Sequence, residues 1–173
     1  MTLPTRFEGP GESPGFLLWQ ATNAWQRAVR EALAPLELTH VQFVLLASIT
    51  WLADAGDGDP LTQRALAAHA RTDEMMTSQV VRALEAKGLI ERPPNPGDAR
   101  ARTLRPTTAG AALAARAIPA VEAADDAFFT ALGTSERGFL KGLKSLAGST
   151  SAAGTSSPPG RARVTARPAR RAS

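Results

Sequence analysis

Two short amphipathic segments joined by a tight turn constrain the fold of this chain more than any other feature of its sequence. In the first segment, LTQRALAAHA, Thr62 is able to cap a helix. In the second, EMMTSQVVRALEAKG, Asp73 stands at a capping position just before the apolar pattern begins, and Gly88 is a typical helix stop. Two short helices separated by so few residues predict a helix-turn-helix.

The second helix of this pair has two faces of different character. One face is apolar and is expected to point at the body of the protein: Thr77, Val80, Val81 and Leu84. The opposite face carries Met75, Ser78, Gln79 and Arg82. In a major groove of DNA, Gln79 could pair with an adenine edge, methionine could touch thymine methyl groups, and Arg82 could neutralise phosphate. The alternative is the solvated face of an ordinary amphipathic helix.

Two predicted short strands, LIER and ARTLRP, follow the helix pair and flank the stretch PPNPGDARART at 93–103. Its prolines stiffen the backbone, Gly97 permits a turn, and Asp98 can accept hydrogen bonds from the loop or from Arg100. A stiff loop loses less entropy when it presents Arg100 and Arg102 to DNA. A helix-turn-helix followed by such a hairpin is the layout of a winged helix. The alternative is a proline-rich solvent loop with incidental arginines.

Further helices are predicted before this unit. Residues 1–15 are rich in proline and glycine and are expected to form a flexible arm. Apolar residues at three- and four-residue intervals then predict an amphipathic helix at about 16–35, which Pro35 closes. Thr39 is a plausible N-cap for the apolar segment 41–52, which is expected to be a buried central helix.

Two more helices are predicted after the wing. A long alanine-rich helix begins near Thr107 or Thr108, and a final helix is capped by Thr134 or Ser135. The last segment, 148–173, consists mainly of Gly, Ser, Ala, Pro and Arg, and is expected to be a disordered basic tail. Its arginines could add nonspecific affinity for DNA or serve only to keep the end of the chain in solution.

Composition excludes several kinds of site. The chain has no cysteine and two histidines, so disulfides, thiolate ligands and a histidine-rich metal site are not expected. Asp125 and Asp126 are adjacent and point to different sides of a helix, and no hydrolase motif is present, so we expect no enzyme activity, no metal and no cofactor. The sequence lacks a signal peptide pattern and a long apolar run, which predicts a cytoplasmic protein without membrane contact.

Positive charge is unevenly distributed. The formal net charge is +4, but the last 13 residues hold five arginines and no acid, and the rest of the chain is close to neutral. Within that remainder, residues 61–110 carry eight basic and five acidic side chains. The basic part of the folded body therefore coincides with the predicted helix-turn-helix and hairpin, as expected for contact with a polyanion.

From Phe16 to about Leu146 the chain resembles the MarR family of transcriptional regulators. The resemblance lies in the order and spacing of three stretches, LTHVQFVLL, LAAHARTDEMMTSQVVRALEAKGLIER and GDARARTLRPTTAG. It implies a mainly α fold with a small β-wing, in which a winged helix-turn-helix is combined with N- and C-terminal dimerisation helices. The implied boundaries are a domain at 16–147, a winged helix at about 61–106, and dimerisation helices at about 16–35 and 108–147.

The family resemblance also implies a function. It implies a homodimeric repressor that binds double-stranded DNA at a palindromic operator and is released by a small aromatic or phenolic effector. The alternative is an architectural or adaptor protein with the same winged helix and no effector. In the wing, Ala99 stands where many relatives have arginine.

Candidate site residues follow from these patterns. The DNA-binding set is Thr62, Gln63, Arg64, Met75, Met76, Ser78, Gln79, Arg82, Arg92, Asp98, Arg100 and Arg102. Aromatic walls and a polar handle for an effector could come from Trp19, Trp25, His40, Phe43 and Trp51. The alternative for these aromatic residues is plain core or dimer interface.

Overall fold

The structure is a computed structural model that describes residues 4–54, 60–95 and 97–153, without the side chains of 98–101 and 149–153. The chain divides into two compact units, Met1–Ala131 and Leu132–Ser173. The helices of the first unit are α1 (Pro14–Leu33), α2 (His40–Asp54), α3 (Gln63–Ala70), α4 (Glu74–Ala86) and α5 (Thr108–Phe129). The second unit contains α6 (Glu136–Ala153). Short strands are β1 (Ile90–Glu91), β2 (Pro94–Asn95), β3 (Asp98–Arg102) and β4 (Arg105–Pro106).

Helix α1 begins at Pro14, inside the stretch predicted to be a flexible arm. The Ser13 hydroxyl oxygen accepts a hydrogen bond from the Phe16 amide at 3.4 Å, and proline suits the first helical position because it has no amide to satisfy. A 3₁₀ turn at Pro10–Glu12 precedes the helix. At the other end of the chain α6 extends to Ala153, into the segment expected to be a disordered tail, and residues 154–173 lie outside the described part.

The connection between α1 and α2 is set by local signals that the sequence contains. Helix α1 ends at Leu33, and a 3₁₀ turn that includes Pro35 follows it. The predicted N-cap Thr39 is confirmed: its hydroxyl accepts from the Gln42 amide at 3.2 Å, and the Gln42 side chain accepts from the Thr39 amide at 3.1 Å. This reciprocal pair is a capping box, which fixes where α2 starts.

Helix α2 is the central element of the core, as predicted. It contacts α1, α3, α4, α5 and β4, and its Leu45, Leu46 and Ile49 are fully buried. The cluster around it also includes Val29 and Leu33 of α1, Leu66 of α3, Val81 and Leu84 of α4, Ile90, Leu104, and Ala114, Ala117 and Val121 of α5. One apolar core therefore joins all five helices of the first unit.

The wing has two pairs of short strands: β1 and β4 lie within the predicted strands LIER and ARTLRP, and β2 and β3 extend into the stretch 93–103 between them. Strand β1 pairs antiparallel with β4, and β2 pairs antiparallel with β3 through an irregular register. The base of this hairpin is anchored to the start of the helix-turn-helix, because the Leu104 amide donates to the Leu61 carbonyl at 2.7 Å and Thr62 bridges to Thr103. The fold is thus mainly helical with a small antiparallel wing, as predicted.

Within the described parts of the chain, no single helix is long and apolar enough to cross a membrane. The segments Pro14–Leu36 and His40–Asp54, bent by 72° relative to each other, reach that length and composition only when taken together.

Candidate nucleic-acid interface

The turn between α3 and α4 is held by a compact set of hydrogen bonds. Arg71, the residue after α3, is in the left-handed region (φ 52°), and the Thr72 amide donates to the Ala67 carbonyl at 3.0 Å. The Thr72 and Thr77 hydroxyl oxygens lie 2.7 Å apart, and the Thr77 hydroxyl also donates to the Asp73 carbonyl at 2.8 Å. Thr77 is completely buried, and these bonds satisfy its hydroxyl.

The start of α4 is capped as predicted. One carboxylate oxygen of Asp73 accepts from the amides of Met75 and Met76 at 2.9 and 3.0 Å. The negative charge of this cap also lies at the positive end of the helix dipole. Together with the turn, the cap fixes the direction in which the first residues of α4 project.

The two faces of α4 are divided largely as the sequence predicts. Thr77, Val81 and Leu84 are buried, and Val80 packs against the core. On the other side Met75 is 72% exposed, Gln79 and Arg82 are exposed, and Ser78 is half-buried. This outward face carries uncharged side chains at its start and a basic side chain, Arg82, towards its end.

A recess of about 270 Å³ lies where α3, α4 and the wing meet. Thr62, Gln63 and Arg64 of the predicted set line it together with Arg102, and so does Glu74, which sequence reasoning missed. The Thr62 hydroxyl is engaged as the N-cap of α3, accepting from the Ala65 amide at 3.2 Å. Two guanidinium groups at one recess can bind a phosphate, while the Glu74 carboxylate limits the positive charge there.

Two arginines of the wing are engaged within the protein. Arg92 lies 3.4 Å from the Glu85 carboxylate of α4, and its buried Nε has no hydrogen-bond partner. One guanidinium nitrogen of Arg102 donates to the Arg92 carbonyl at 3.3 Å, while the Arg102 residue remains exposed. Arg92 therefore joins the wing to α4, and Arg102 is the more accessible of the two.

The tip of the wing is shaped in part by Asn95, which is not among the predicted site residues. The Asn95 side chain accepts from the Gly97 amide at 2.9 Å, which is the Asx type of turn. An Asn two residues before a Gly is the signal that could have identified it. Asp98 and Arg100 belong to strand β3, but their side chains lie outside the described part of the structure.

The five aromatic residues predicted for an effector site do not converge. Trp25 and His40 are in contact, edge to face, with ring centroids 5.0 Å apart, and the Trp25 indole N–H donates to the Asp125 carboxylate at 2.6 Å. Burial lowers the pKa of His40; the charge of Asp125 acts in the opposite direction, and Arg30 lowers it further. Phe43 packs against the core.

The other two tryptophans lie at separate places. Trp51, in the last turn of α2, is 64% exposed and stacks on His69 of α3 with centroids 5.8 Å apart. It lines an open recess of about 420 Å³ formed by α2, β4 and α5. Trp19 is 63% exposed, stacks on Phe16, and lines a groove of about 470 Å³ on α1 that also includes Phe128. Among the described residues, no three His, Cys, Asp or Glu side chains are grouped as a metal ion would require.

Comparison with known proteins identifies what this arrangement is similar to. The model described as "MarR family" matches residues 38–101. YdcH of Bacillus subtilis (strain 168), an uncharacterized HTH-type transcriptional regulator, is 50% identical over 142 residues, which are 82% of this chain and 95% of YdcH.

Solved structures agree with the sequence matches. CouR from Rhodococcus jostii RHA1, bound to p-coumaroyl-CoA, superposes with a TM-score of 0.67 at 25% identity, over 82% of this chain and 96% of CouR. The Mycobacterium tuberculosis MarR family protein Rv2887 in complex with DNA gives a TM-score of 0.60 at 30% identity, over 78% of this chain and 97% of Rv2887. The complex of Rv2887 with salicylic acid gives 0.59 at 31% identity, over 78% and 96% of the two chains. The relatives are regulators of transcription and not enzymes.

Proposed function

Because this chain belongs to the MarR family of DNA-binding transcriptional regulators, we propose that it is a homodimeric repressor of a palindromic operator, released from DNA by a small aromatic effector. The observation that carries the proposal is the exposed face of α4, held in a fixed direction by the Asp73 cap and the Thr72–Thr77 contact. The existence of a DNA complex of Rv2887 supports it.

The DNA contacts divide into two groups by chemistry. Residues of the α4 face enter the major groove, where Met75, Met76, Ser78 and Gln79 meet base edges and Arg82 meets a backbone phosphate. The recess that contains Arg64 and Arg102 takes a backbone phosphate, with Thr62 and Gln63 beside it. Arg100 is the proposed probe of the minor groove, oriented by Asp98.

Apolar surfaces on two helices support a homodimer. The first turns of α1 expose Phe16, Leu17, Leu18 and Trp19, and α6 exposes Leu140 and Leu143. Contiguous exposed apolar residues of this size are unusual on a monomer and are typical of an interface. We therefore assign the dimerisation helices to the N-terminal helix and to the C-terminal helices within 16–147. Two copies of α4 related by a twofold axis would match the two halves of a palindromic operator.

The effector proposal is supported by the bound ligands of two relatives. CouR is bound to p-coumaroyl-CoA and Rv2887 to salicylic acid in their structures. An effector that binds the DNA-free dimer more tightly than the DNA-bound dimer weakens DNA binding by that difference in affinity.

The proposal is tested by selecting bound DNA from a random pool with the full chain and measuring operator affinity by fluorescence anisotropy. An inverted repeat is expected. Arg82→Ala should weaken binding uniformly across sequences and reduce the slope of log K against log salt by about one, because one phosphate contact is lost. Gln79→Ala should instead relax the preference at one base position.

The matched control is Arg27→Ala, which removes an exposed arginine from α1, outside the helix-turn-helix. It should leave operator affinity and salt slope unchanged. Selection of no common sequence, or equal affinity of Arg82→Ala and the parent chain, would contradict the proposal. Release of the operator by no member of a broad aromatic library would favour the architectural protein without an effector.

A further inference from the structure

The open recess beside Trp51 has the shape of a small-ligand site. It lies between the last turns of α2 and the first half of α5, next to β4, and measures about 420 Å³. Ala47, Ala111 and Ile118 contribute small and apolar walls. A volume of this size accepts one or two fused aromatic rings.

The aromatic wall of this recess is large and accessible. Trp51 is 64% exposed, whereas Leu45, Leu46 and Ile49 of the same helix are fully buried. Its ring stacks on His69 with an interplanar angle of 25°, so its orientation is constrained by a neighbouring helix. A tryptophan face held in this way attracts planar aromatic groups and, through its quadrupole, cations.

The charge of the recess has one sign. Asp54 is the one ionisable side chain among the described residues that line it. Asp54 is also the last residue of α2, whose final turn contains no basic residue. A carboxylate at a helix C-terminus lies at the negative end of the helix dipole, where it costs stability. Together the carboxylate and the helix end make one side of the recess negative.

A hydroxyl group beside the carboxylate adds an acceptor. Thr50 lines the same recess, and its hydroxyl donates to the Leu46 carbonyl at 2.9 Å. Because the proton is committed to that carbonyl, the oxygen is left to accept a hydrogen bond from a ligand N–H. An ammonium group finds acceptors on this side, whereas a carboxylate would meet a like charge.

We propose that this recess is the effector site and that it binds a planar aromatic cation, with the ring on Trp51 and the ammonium group between Asp54 and Thr50. The inference rests on the ligand-responsive part of the function proposed above and names the chemical class of the ligand. The positive charge of the proposed ligand is opposite to the charge of ionised salicylic acid, the ligand in the Rv2887 complex.

The test uses two probes of nearly the same size and opposite charge, 1-naphthylmethylammonium and 1-naphthoate. Calorimetric titration of the full chain should give binding of the amine, with naphthoate at least about tenfold weaker, because an ion pair near a protein surface contributes on the order of that factor. Asp54→Asn should weaken binding of the amine by about the same factor and should not weaken binding of naphthoate. Trp51→Leu should weaken binding of both probes, since it removes the aromatic face.

Asp126→Asn is the matched control, because Asp126 is an exposed carboxylate of α5 that does not line the recess. It should leave the amine affinity unchanged. The proposal is overturned if naphthoate binds as tightly as the amine, if Asp54→Asn has no effect, or if neither probe binds.

Operator binding by the same samples separates this inference from the proposed function. If the chain binds its operator normally but binds naphthoate more tightly than the amine, the proposed ligand class is wrong and the proposed repressor function stands. Amine binding that depends on Asp54, without any operator binding, would keep the site and overturn the repressor.

Discussion

Gly110, in the first turn of α5, lies directly against the main chain of Leu89: a Cβ atom at Gly110 would overlap the Leu89 carbonyl oxygen and lie 2.8 Å from its carbonyl carbon. The same junction is tied by Thr107, whose amide donates to the Leu89 carbonyl at 3.0 Å and whose hydroxyl donates to the Gly88 carbonyl at 2.7 Å. The segment that follows α4 is therefore fixed to the start of α5.

Gly110→Ala should destabilise the protein by about 1–3 kcal/mol or more, because the added methyl group meets main-chain atoms that cannot rotate away. Urea unfolding followed by circular dichroism measures the change. Gly142→Ala is the matched control, since Gly142 is also helical and a Cβ there meets nothing within 4 Å. It should be neutral or slightly stabilising. Equal stability of the two variants would show that Leu89 and the first turn of α5 can move apart without loss of stability.

Asp73→Ala should cost about 1 kcal/mol of unfolding free energy, the usual effect of removing an N-cap. Two amides at the start of α4 lose their acceptor, so the first turn should fray and operator affinity should fall with stability. Asp73→Ser is the control, because serine is an effective cap and should restore most of both quantities. Failure of Asp73→Ser to recover operator binding would mean that the carboxylate acts on DNA recognition by another route.

The helix ends could be predicted from sequence because each depends on signals a few residues apart. Thr39, Thr62, Asp73 and Thr107 all cap helices through bonds to amides two or three residues ahead. Gly88 (φ 68°) ends α4 because its own amide reaches the Glu85 carbonyl and the next amide reaches Leu84. Such patterns need no knowledge of the rest of the chain.

The aromatic sites could not be predicted in the same way. Trp51 belongs to a helix that the sequence predicts to be buried, yet Trp51 itself is 64% exposed. The Trp25 indole N–H donates to Asp125, a hundred residues later, and no local pattern in either helix predicts this hydrogen bond. Periodicity defines which face of a helix is apolar, but the partner of that face is decided by tertiary packing.

Stability should fall at acidic pH because of His40. Burial lowers the pKa of His40 below its usual 6.5, so the unfolded chain binds a proton at this position more readily than the folded protein. Above pH 6.5 His40 is neutral in both states and the protein keeps its full stability. As the pH falls from there through the lower pKa of the folded state, protonation of the unfolded chain reduces the free energy of unfolding. His40→Gln should flatten the curve of unfolding free energy against pH in this range.

A second variant tests the sign of the neighbouring charge. Asp125→Asn keeps an acceptor for the Trp25 indole N–H and removes the carboxylate that raises the pKa of His40. The pKa should drop further and the loss of stability on acidification should increase. A curve identical to that of the parent chain would show that Asp125 does not act on His40 through its charge.

Leu18→Glu should dissociate the proposed dimer. Leu18 is 50% exposed on the first turns of α1, where Phe16, Leu17 and Trp19 are exposed too. In an interface with twofold symmetry every substitution is present twice, once in each subunit. Loss of two buried leucines at about 2 kcal/mol each should therefore raise the dissociation constant by at least about two orders of magnitude. Sedimentation equilibrium measures that constant, and circular dichroism checks that the monomer remains folded.

Gln20→Glu is the control for charge, because Gln20 is an exposed polar residue two positions along the same helix. It should leave the dimer unchanged. Operator affinity of Leu18→Glu should fall in parallel with dimerisation, since a single α4 reaches only one half of a palindrome. A monomeric variant with undiminished operator affinity would contradict the symmetric arrangement, and a dimeric variant would mean that this part of α1 lies outside the interface.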